Sequence, residues 1–405
     1  MLTHENTMKM FRDILRFAYH RNSFYRSLYD KNSIDIETCN LPDSLPFVTA
    51  DDLIHNTLEM KSEMPLYRVC ASSGTKRSPK LMFRSWDDFN FSVQNQIQLM
   101  QWCGIGRLDI IGIVQPSGLW GYSDLTQEAT HRMGAMSVQL GNADNAVALE
   151  LIDKLKITVL DIAPSRLEDI LKMADKSKIQ LESVRIAMCS GEMLTNYLRQ
   201  YALERFNIVI YNQYGSEETD ALGGETTPGE GMRLFTDSFL FEIIKPDGTS
   251  ALENEIGNIV VTSLYHRGTP LIRYKLEDSI RIISEKDAII EVLGRNEDYV
   301  VLYDSVKLQV SHIKVIIGQY VTQAERWQVR ISQHDGIILI SVHLSKHLLT
   351  TDEQKLLKEL EQINIDITAL YNNGIIRFKI DYSGYKKTGR GKQNNLVDER
   401  MKRRI

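Results

Sequence analysis

The feature that most constrains the fold is an alternation of two kinds of segment between residues 109 and 210. Short apolar stretches, which are typical of buried strands, are separated by stretches with apolar residues at helical spacing. The apolar stretches are 110–114, 157–162, 184–188 and 208–211, and the helical ones are 145–155, 166–174 and 194–206. This alternation predicts an α/β layered sheet whose strands run largely parallel.

The rest of the chain predicts one large domain and one small one. An amphipathic helix is expected at residues 8–29, and a second helix opens at Ser85, whose spacing to Asp88 resembles a capping box. Strands at 239–244, 257–263 and 280–283 predict a β-rich subdomain. Beyond residue 311, a helix, strands at 327–331 and 336–344, a helix at 352–363 and a strand at 375–380 predict a compact α+β lobe. We therefore place an N-terminal domain at 1–293 and a C-terminal domain at 294–405.

Composition excludes several classes of function. The chain has 405 residues and a formal net charge of −5, which argues against general binding of nucleic acids. Its four cysteines are far apart and form no zinc-ligand spacing, as expected in a reducing compartment: Cys39, Cys70, Cys103 and Cys189. The first residues lack a signal-peptide pattern, and no apolar run approaches the ~18 residues that span a bilayer. We expect a cytoplasmic protein without a membrane anchor.

A loop rich in hydroxyl groups, glycine and lysine is the first candidate site. It runs through Ser72, Ser73, Gly74, Thr75 and Lys76. Backbone N–H groups and hydroxyls can donate to phosphate oxygens, and lysine neutralises phosphate charge. The sequence is not a Walker A loop, because GxxxxGK[ST] is absent. A solvated surface loop is the alternative interpretation, with about equal weight.

Four later segments carry weaker signals. Glu218 follows an apolar strand, at the sheet edge where α/β folds bind ligands, and its carboxylate could hold Mg²⁺. Asp278 could accept hydrogen bonds from a ribose diol, Arg295 lies at the expected domain junction, and Lys392 lies in a cationic glycine-bearing loop. Each has an ordinary alternative: an acidic turn, a capping residue, a solvated linker and a frayed basic tail.

The order and spacing of these segments resemble one family. The chain is similar over nearly its whole length to adenylate-forming ligases of the acyl-CoA synthetase superfamily, and most similar to the phenylacetate–CoA ligase-like branch. The similarity rests on the segments 24–26, 45–47, 71–75, 117–121, 163–165, 191–192, 214–218, 270–274, Asp278, 294–295 and 391–392.

The resemblance implies a role for each candidate residue. Ser72 to Lys76 would enclose the β- and γ-phosphates of ATP, Glu218 would ligate Mg²⁺, and Asp278 would bind the ribose. Arg295 would lie near the hinge and the nucleotide, and Lys392 would reach the carboxylate and the α-phosphate. The adenine site would be formed by Ser190, Gly191 and Glu192, with Asn212, Tyr214 and Gly215 close by. The acyl pocket would be bordered by Trp120, Gly121, Tyr122, Ala163 and Pro164.

The expected activity is activation of a carboxylic acid, aryl or arylacetic, to an acyl-adenylate with release of pyrophosphate. The acyl group would then pass to coenzyme A, and a mobile C-terminal domain would serve both steps. A carrier-protein phosphopantetheine arm, an amine or a hydroxyl group remains an alternative acceptor. From another class, the chain could be a nucleotide-binding module that has lost catalysis. A homodimer is common in the branch, and the sequence leaves the oligomeric state open.

Three departures from the family pattern bear on these expectations. Lys76 and Arg77 stand where Thr-Gly is usual, and the lost glycine restricts the backbone. Glu217 replaces a hydroxyl donor, so we expect it to point away or to join Glu218 at the metal. Asp304 and Ser305 replace an Arg-Gly pair beside the pantetheine tunnel, which weakens the case for free coenzyme A.

Overall fold

The computed structural model describes residues 4–39, 42–72, 78–295, 299–303, 306–309, 313, 316–320, 327–345, 347–363, 365–383 and 396–400. In this part of the chain the helices are α1 (His4–Arg21), α2 (Ser23–Lys31), α3 (Ala50–His55), α4 (Trp86–Trp102), α5 (Tyr122–Arg132), α6 (Asn145–Lys154), α7 (Pro164–Ser177), α8 (Asn196–Phe206), α9 (Thr350–Glu361) and α10 (Ile365–Asn372). None of these helices is long and apolar enough to cross a membrane.

The strands of the first half of the chain are β1 (Arg68–Ala71), β2 (Leu81–Arg84), β3 (Ile110–Ile113), β4 (Met136–Gln139), β5 (Val159–Ile162), β6 (Ile186–Cys189), β7 (Val209–Ser216), β8 (Asp220–Gly224), β9 (Met232–Leu234) and β10 (Phe239–Ile244). Those of the second half are β11 (Ile256–Ser263), β12 (Tyr274–Ser284), β13 (Ile289–Arg295), β14 (Tyr299–Val301), β15 (Lys307–Gln309), β16 (Trp327–His334), β17 (Ile337–Leu344), β18 (Ile376–Asp381) and β19 (Leu396–Asp398).

An eleven-stranded sheet is the framework, with the order β10-β11-β12-β13-β9-β8-β7-β6-β5-β3-β4. Its part from β4 to β7 is parallel, and β7, β8 and β9 are antiparallel neighbours. Helices α4 and α5 pack together on one side of the parallel part, and α6 packs against α7. The predicted α/β layered fold with a β-rich subdomain is confirmed.

The strand order reverses between β3 and β5. The chain moves outward from β3 to β4 and then crosses back over β3 to β5 before continuing to β6 and β7. Such a reversal sends the connections after β3 and β5 to opposite faces of the sheet and leaves a crevice at the carboxyl ends of the two strands. Ligands of open α/β sheets bind in crevices of this kind.

Side-chain caps set several helix boundaries. Ser85 and Asp88 form the predicted capping box at the start of α4. The prediction of a single helix at 8–29 is wrong in one respect, because the chain forms two helices, α1 and α2, with a break at Asn22. The Asn22 side chain accepts from Tyr25 N and donates to Met60 O at 2.7 Å, so it caps α2 and interrupts the helix.

The chain divides into two compact units. The larger comprises Met1–Gly191, Arg205–Leu276 and Ile280–Val292, and the smaller comprises Glu192–Glu204, Glu277–Ser279 and Leu293–Ile405. The smaller unit contains a four-stranded sheet with the order β18-β17-β16-β19. The helix expected just after residue 311 falls largely outside the described residues, and α10 was not expected. The boundary that the sequence analysis placed between the N-terminal and C-terminal domains, at residues 293 and 294, stays a prediction.

Tyr25 anchors the N-terminal helices to the main body of the larger unit. Its ring is fully buried, and its hydroxyl donates to Pro270 O at 3.0 Å and accepts from Ile272 N at 3.0 Å. Burial raises the pKa of the Tyr25 hydroxyl, so it stays protonated and keeps its donor. The bonded segment leads directly into β12.

We predict that Tyr25→Phe lowers the free energy of unfolding by about 2 kcal/mol, because a buried N–H group and a buried carbonyl lose their partner. Urea denaturation of the purified chain measures this loss. Tyr19→Phe is the matched control, since the Tyr19 hydroxyl donates to Asp30 at 2.9 Å on the surface. An equal loss in both variants would show that the buried contact has no special role.

Candidate functional site

The residues expected to border an acyl pocket follow β3 and β5, the two strands that flank the crevice at the reversal of strand order. Trp120, Gly121 and Tyr122 follow β3 and begin α5. Ala163 and Pro164 follow β5, where Pro164 begins α7 with its fixed backbone angle. Tyr122 and Ala163 are 41 positions apart in sequence. Because β3 and β5 are parallel neighbours, the segments that carry the two groups leave the sheet at the same edge.

The residues expected to line the adenine site lie on the next two strands. Ser190 and Gly191 directly follow β6, whereas Asn212, Tyr214 and Gly215 belong to β7, which pairs with β6 in parallel. Gly191 has φ +79°, and a Cβ there would meet no atom within 4 Å, so its backbone faces open space. Gly215 is required by packing, because a Cβ would lie 2.3 Å from Asp220 O.

Glu218 is buried beside two hydrogen-bond donors. It follows β7, and its Oε1 forms an ion pair with Lys80 Nζ and accepts from Tyr274 OH at 3.3 Å. Burial opposes ionisation of Glu218, but the charge and hydrogen bond of Lys80 lower its pKa below the usual value. The residue expected to hold a cation is therefore a carboxylate at neutral pH.

Lys80 also closes the candidate phosphate loop. Ser72 N donates to Lys80 O at 3.0 Å, and Lys80 N donates to Ser72 Oγ at 3.0 Å. The rest of the predicted loop, Ser73, Gly74, Thr75 and Lys76, lies outside the described residues, as does Arg77. The two described ends of the loop are thus held together next to the Glu218 carboxylate.

Glu217 has a contact that the sequence did not indicate. Its Oε2 accepts from Gly121 N at 3.1 Å, which joins the segment after β7 to the expected acyl pocket. Burial raises the pKa of Glu217 to about 7. Gly121 has no room for a side chain, because a Cβ would lie 2.8 Å from Cys70 Sγ. The structure thus gives Glu217 a bond to the backbone of the expected pocket, a contact that neither expectation named.

A buried polar cluster lies beneath Tyr122. The Tyr122 hydroxyl donates to Gln213 Oε1 and accepts from Gln96 Nε2 at 3.2 Å. Asp161, the third residue of β5, is fully buried in the same region. Neither of its carboxyl oxygens makes a well-formed hydrogen bond in the described part of the chain, although the nearby Thr126 and Gln115 side chains oppose the effect of burial on its pKa. Burial raises the pKa of Asp161 to about 7, so below that pH the carboxyl group is neutral.

We predict that Asp161→Asn stabilises the protein increasingly as the pH rises. The folded state keeps a proton between pH ~4 and ~7 that the unfolded state releases, so wild-type stability falls over that range and levels off above it. A pKa difference of about three corresponds to about 4 kcal/mol, the largest change expected between pH 4 and pH 8. Urea denaturation at several pH values measures the difference between the two proteins.

Asp109→Asn provides the opposite control. Although burial opposes its ionisation, Arg185 lowers the pKa of Asp109, so this carboxylate contributes stability that is lost at low pH. The penalty of Asp109→Asn should therefore grow from pH 3 to pH 7. A difference between Asp161→Asn and wild type that does not change with pH would refute the neutral state of Asp161.

Several predicted site residues belong to the smaller unit or lie outside the described residues. Glu192 and Asp278 belong to the smaller unit, and Arg295 ends β13 there. Lys392 lies outside the described residues, as do Asp304 and Ser305. Sequence reasoning gave no role to Asp161, Gln213 or Tyr274, and it assigned no partner to Lys80. The signal for Asp161 was a carboxylate inside an otherwise apolar strand, Val-Leu-Asp-Ile.

Comparison with known proteins relates one part of the chain to a family of enzymes. Residues 49–237 match the family model described as AMP-binding enzyme, which covers the parallel sheet, the ends of the phosphate loop and Glu218. Residues 49–237 form an AMP-binding domain. The resemblance to adenylate-forming enzymes inferred from the motifs is thereby confirmed.

Two known proteins extend the similarity beyond the AMP-binding domain. A phenylacetate-coenzyme A ligase of Escherichia coli is 23% identical over 367 residues, which cover 84% of this chain and 82% of the ligase. The crystal structure of a 2-hydroxyisobutyryl-CoA ligase in the postadenylation state, with an acyl-AMP bound, has a TM-score of 0.76 at 15% identity. That match covers 98% of this chain and 89% of the ligase. The match in fold thus extends over nearly the whole chain.

Proposed function

We propose that the chain is an AMP-forming acid–thiol ligase. A carboxylate oxygen of the substrate attacks the α-phosphorus of ATP, the bond from that phosphorus to the bridging oxygen breaks, and pyrophosphate leaves. The thiolate of coenzyme A then attacks the acyl carbon, and AMP leaves with the electrons of the C–O bond. The acyl-CoA ligase relatives support this proposal, as does the Glu218–Lys80 pair beside the phosphate loop, which is the observation that carries it.

The charge around Glu218 suits the first step. Two anions, the carboxylate and the triphosphate, must approach each other, so positive charge has to be supplied where they meet. Lys80 and the phosphate loop provide part of it. No group of three or more His, Cys, Asp or Glu residues in the described ranges could enclose a metal. Mg²⁺ does not need one, because it is commonly held by one or two carboxylates together with substrate phosphates.

The donors present therefore fit Mg²⁺. Glu218 would hold the ion through the oxygen that does not face Lys80, and Mg²⁺ would supply charge neutralisation at the phosphates. The protein itself would hold the carboxylate at a fixed place between β7 and the phosphate loop, through Lys80 and Tyr274. Ser72 and Lys80 would fix the ends of the loop that receives the pyrophosphate.

The remaining roles are proposed from the family resemblance. Asp278 would bind the ribose hydroxyls, Arg295 would lie near the hinge, and Lys392 would neutralise charge at the α-phosphate during adenylation only. A C-terminal domain that begins near residue 294 would then move to admit the acceptor.

We propose coenzyme A as the acceptor and an aromatic carboxylic acid as the substrate. Coenzyme A is the acceptor in the names of the relatives described above. A carrier-protein arm is the alternative that the Asp304-Ser305 departure supports, and a homodimer stays a prediction from the resemblance. For the acid, Trp120 would suit an aromatic ring. The polar cluster at Asp161 and Gln96 favours an acid that also carries a hydroxyl or amino group.

Acid-dependent exchange between ATP and pyrophosphate tests the adenylation step. We expect exchange with one acid class from a panel of benzoic, arylacetic, hydroxy and fatty acids, and Lys392→Ala should reduce its rate at least 100-fold. The same variant should still form the thioester from supplied acyl-AMP and coenzyme A within a few-fold of the wild-type rate, because its role is confined to the first step.

Lys387→Ala is the matched control, since it removes a neighbouring cation from the same basic segment. An equal loss of both half-reactions in Lys392→Ala would remove the role assigned to this lysine. Tight ATP binding by wild type without exchange for any acid would instead support a nucleotide-binding module that has lost catalysis.

A further inference from the structure

Two basic residues at the ends of strand β2 contact the segment Glu217–Glu218. Lys80 precedes the strand and Arg84 ends it, and residues four apart in an extended strand share one face. Lys80 pairs with the side chain of Glu218, whereas Arg84 binds the backbone behind it. The site described so far uses only the first of these cations.

Arg84 binds the backbone of both Glu217 and Glu218. Its Nη2 donates to Glu218 O at 2.6 Å and to Glu217 O at 3.3 Å. The Arg84 side chain is only 2% exposed, so the guanidinium is removed from water and has no competing solvent contacts. One planar group therefore fixes two consecutive peptide carbonyls.

Asp220 holds Arg84 in place. Its Oδ2 lies 3.3 Å from Arg84 Nε, and it also accepts from Ser92 Oγ at 2.6 Å and contacts His266 Nε2 at 3.2 Å. Although burial opposes ionisation, Arg84, His266 and Ser92 lower the pKa of Asp220. The buried guanidinium thus has a buried counter-charge, which is the condition for keeping an ion in the interior.

The turn between β7 and β8 is shaped by the same contacts. Asp220 has φ +56°, a left-handed conformation that is unusual for a residue with a side chain. Its carboxylate is tied to α4 through Ser92 and to the segment after β11 through His266. The segment that carries Glu218 is therefore fixed at its backbone by Arg84 and at its end by Asp220.

We propose that Arg84, held by Asp220, is a positioning residue that fixes the Glu218 carboxylate for Mg²⁺·ATP. This inference rests on the proposed function, in which Glu218 faces the metal and the phosphates. Arg84 contacts neither the metal nor a substrate, and it acts through the two carbonyls. Its loss should leave the Glu218 carboxylate present but without a fixed backbone, and Mg²⁺ tolerates poor ligand geometry badly.

Arg84→Met alone would leave the buried Asp220 carboxylate without its counter-charge, which lowers stability whether or not Arg84 positions Glu218. The informative variant is the double change Arg84→Met with Asp220→Asn. Asparagine tolerates the left-handed backbone and can keep the contacts to Ser92 and His266 without a charge. This variant should recover the thermal stability that Arg84→Met loses, while the two carbonyls still lack their donor.

Arg185→Met is the matched control. Arg185 also binds a carboxylate and a backbone carbonyl, with Nη2 at 2.6 Å from Asp109 Oδ2 and 3.0 Å from Gly104 O. It directly precedes β6 and so lies at the amino end of the strand, opposite the edge that carries the site. Arg84→Lys is the conservative variant, because a lysine keeps the positive charge but cannot bind the carbonyls and the Asp220 carboxylate through separate nitrogens, as Nη2 and Nε of Arg84 do.

Two readouts separate positioning from general stability. Calorimetric titration of ATP at a series of Mg²⁺ concentrations gives the Mg²⁺ concentration for half-maximal binding without any catalysis. Exchange kinetics give the KM values for ATP and for the acid. We expect the double variant to need at least 10-fold more Mg²⁺ and to raise the KM for ATP, while the KM for the acid changes less than twofold. Arg84→Lys should restore part of the Mg²⁺ response.

Wild-type Mg²⁺ dependence in the folded double variant would overturn the proposal, as would an equal shift in Arg185→Met. The proposed function fails separately, through the absence of exchange in the wild-type protein with every acid. In that event the binding titration still decides whether Arg84 positions the carboxylate for Mg²⁺·ATP.

Discussion

The ion pair between Lys80 and Glu218 allows a carboxylate to remain charged in a buried position, and the rest of the candidate site is arranged around it. Transfer of a single carboxylate from water into the interior is costly unless a partner of opposite charge and further donors compensate. Lys80 and Tyr274 supply that compensation for Glu218. Glu217 has no cation bonded to it among the described residues, and its pKa is correspondingly raised to about 7.

The sheet explains why residues distant in sequence meet here. Because β3, β5, β6 and β7 are parallel neighbours, their carboxyl ends share one edge, and the segments that follow them can form one surface. The antiparallel continuation through β8 adds the turn that carries Glu218 and Asp220. The short strand β2 then approaches this turn with Lys80 and Arg84. In the proposed function, this architecture would provide the place for a nucleotide and the charges that hold it.

Local sequence signals predicted much of this fold, because they depend on neighbouring residues. The Ser85–Asp88 capping box set the start of α4, and the apolar stretches placed the starts of β3, β5, β6 and β7 within two residues. They did not predict β4, which is less buried. The break at Asn22 was missed, since its cap depends also on a bond to Met60, 38 residues away. The contact of Glu217 was missed for a similar reason. Its partner is the Gly121 backbone, and no local pattern reveals a contact across 96 residues.

Direct bonding of the substrate carboxylate to the α-phosphorus of ATP can be followed by isotope transfer. An acid that supports exchange would be labelled with ¹⁸O in its carboxylate and incubated with the chain, ATP, Mg²⁺ and coenzyme A. Mass spectrometry of the recovered nucleotide should show one ¹⁸O atom in the phosphate of AMP for each thioester formed. Thioester formation with unlabelled AMP, or with the label in pyrophosphate or inorganic phosphate, would contradict the acyl-adenylate and the account built on it.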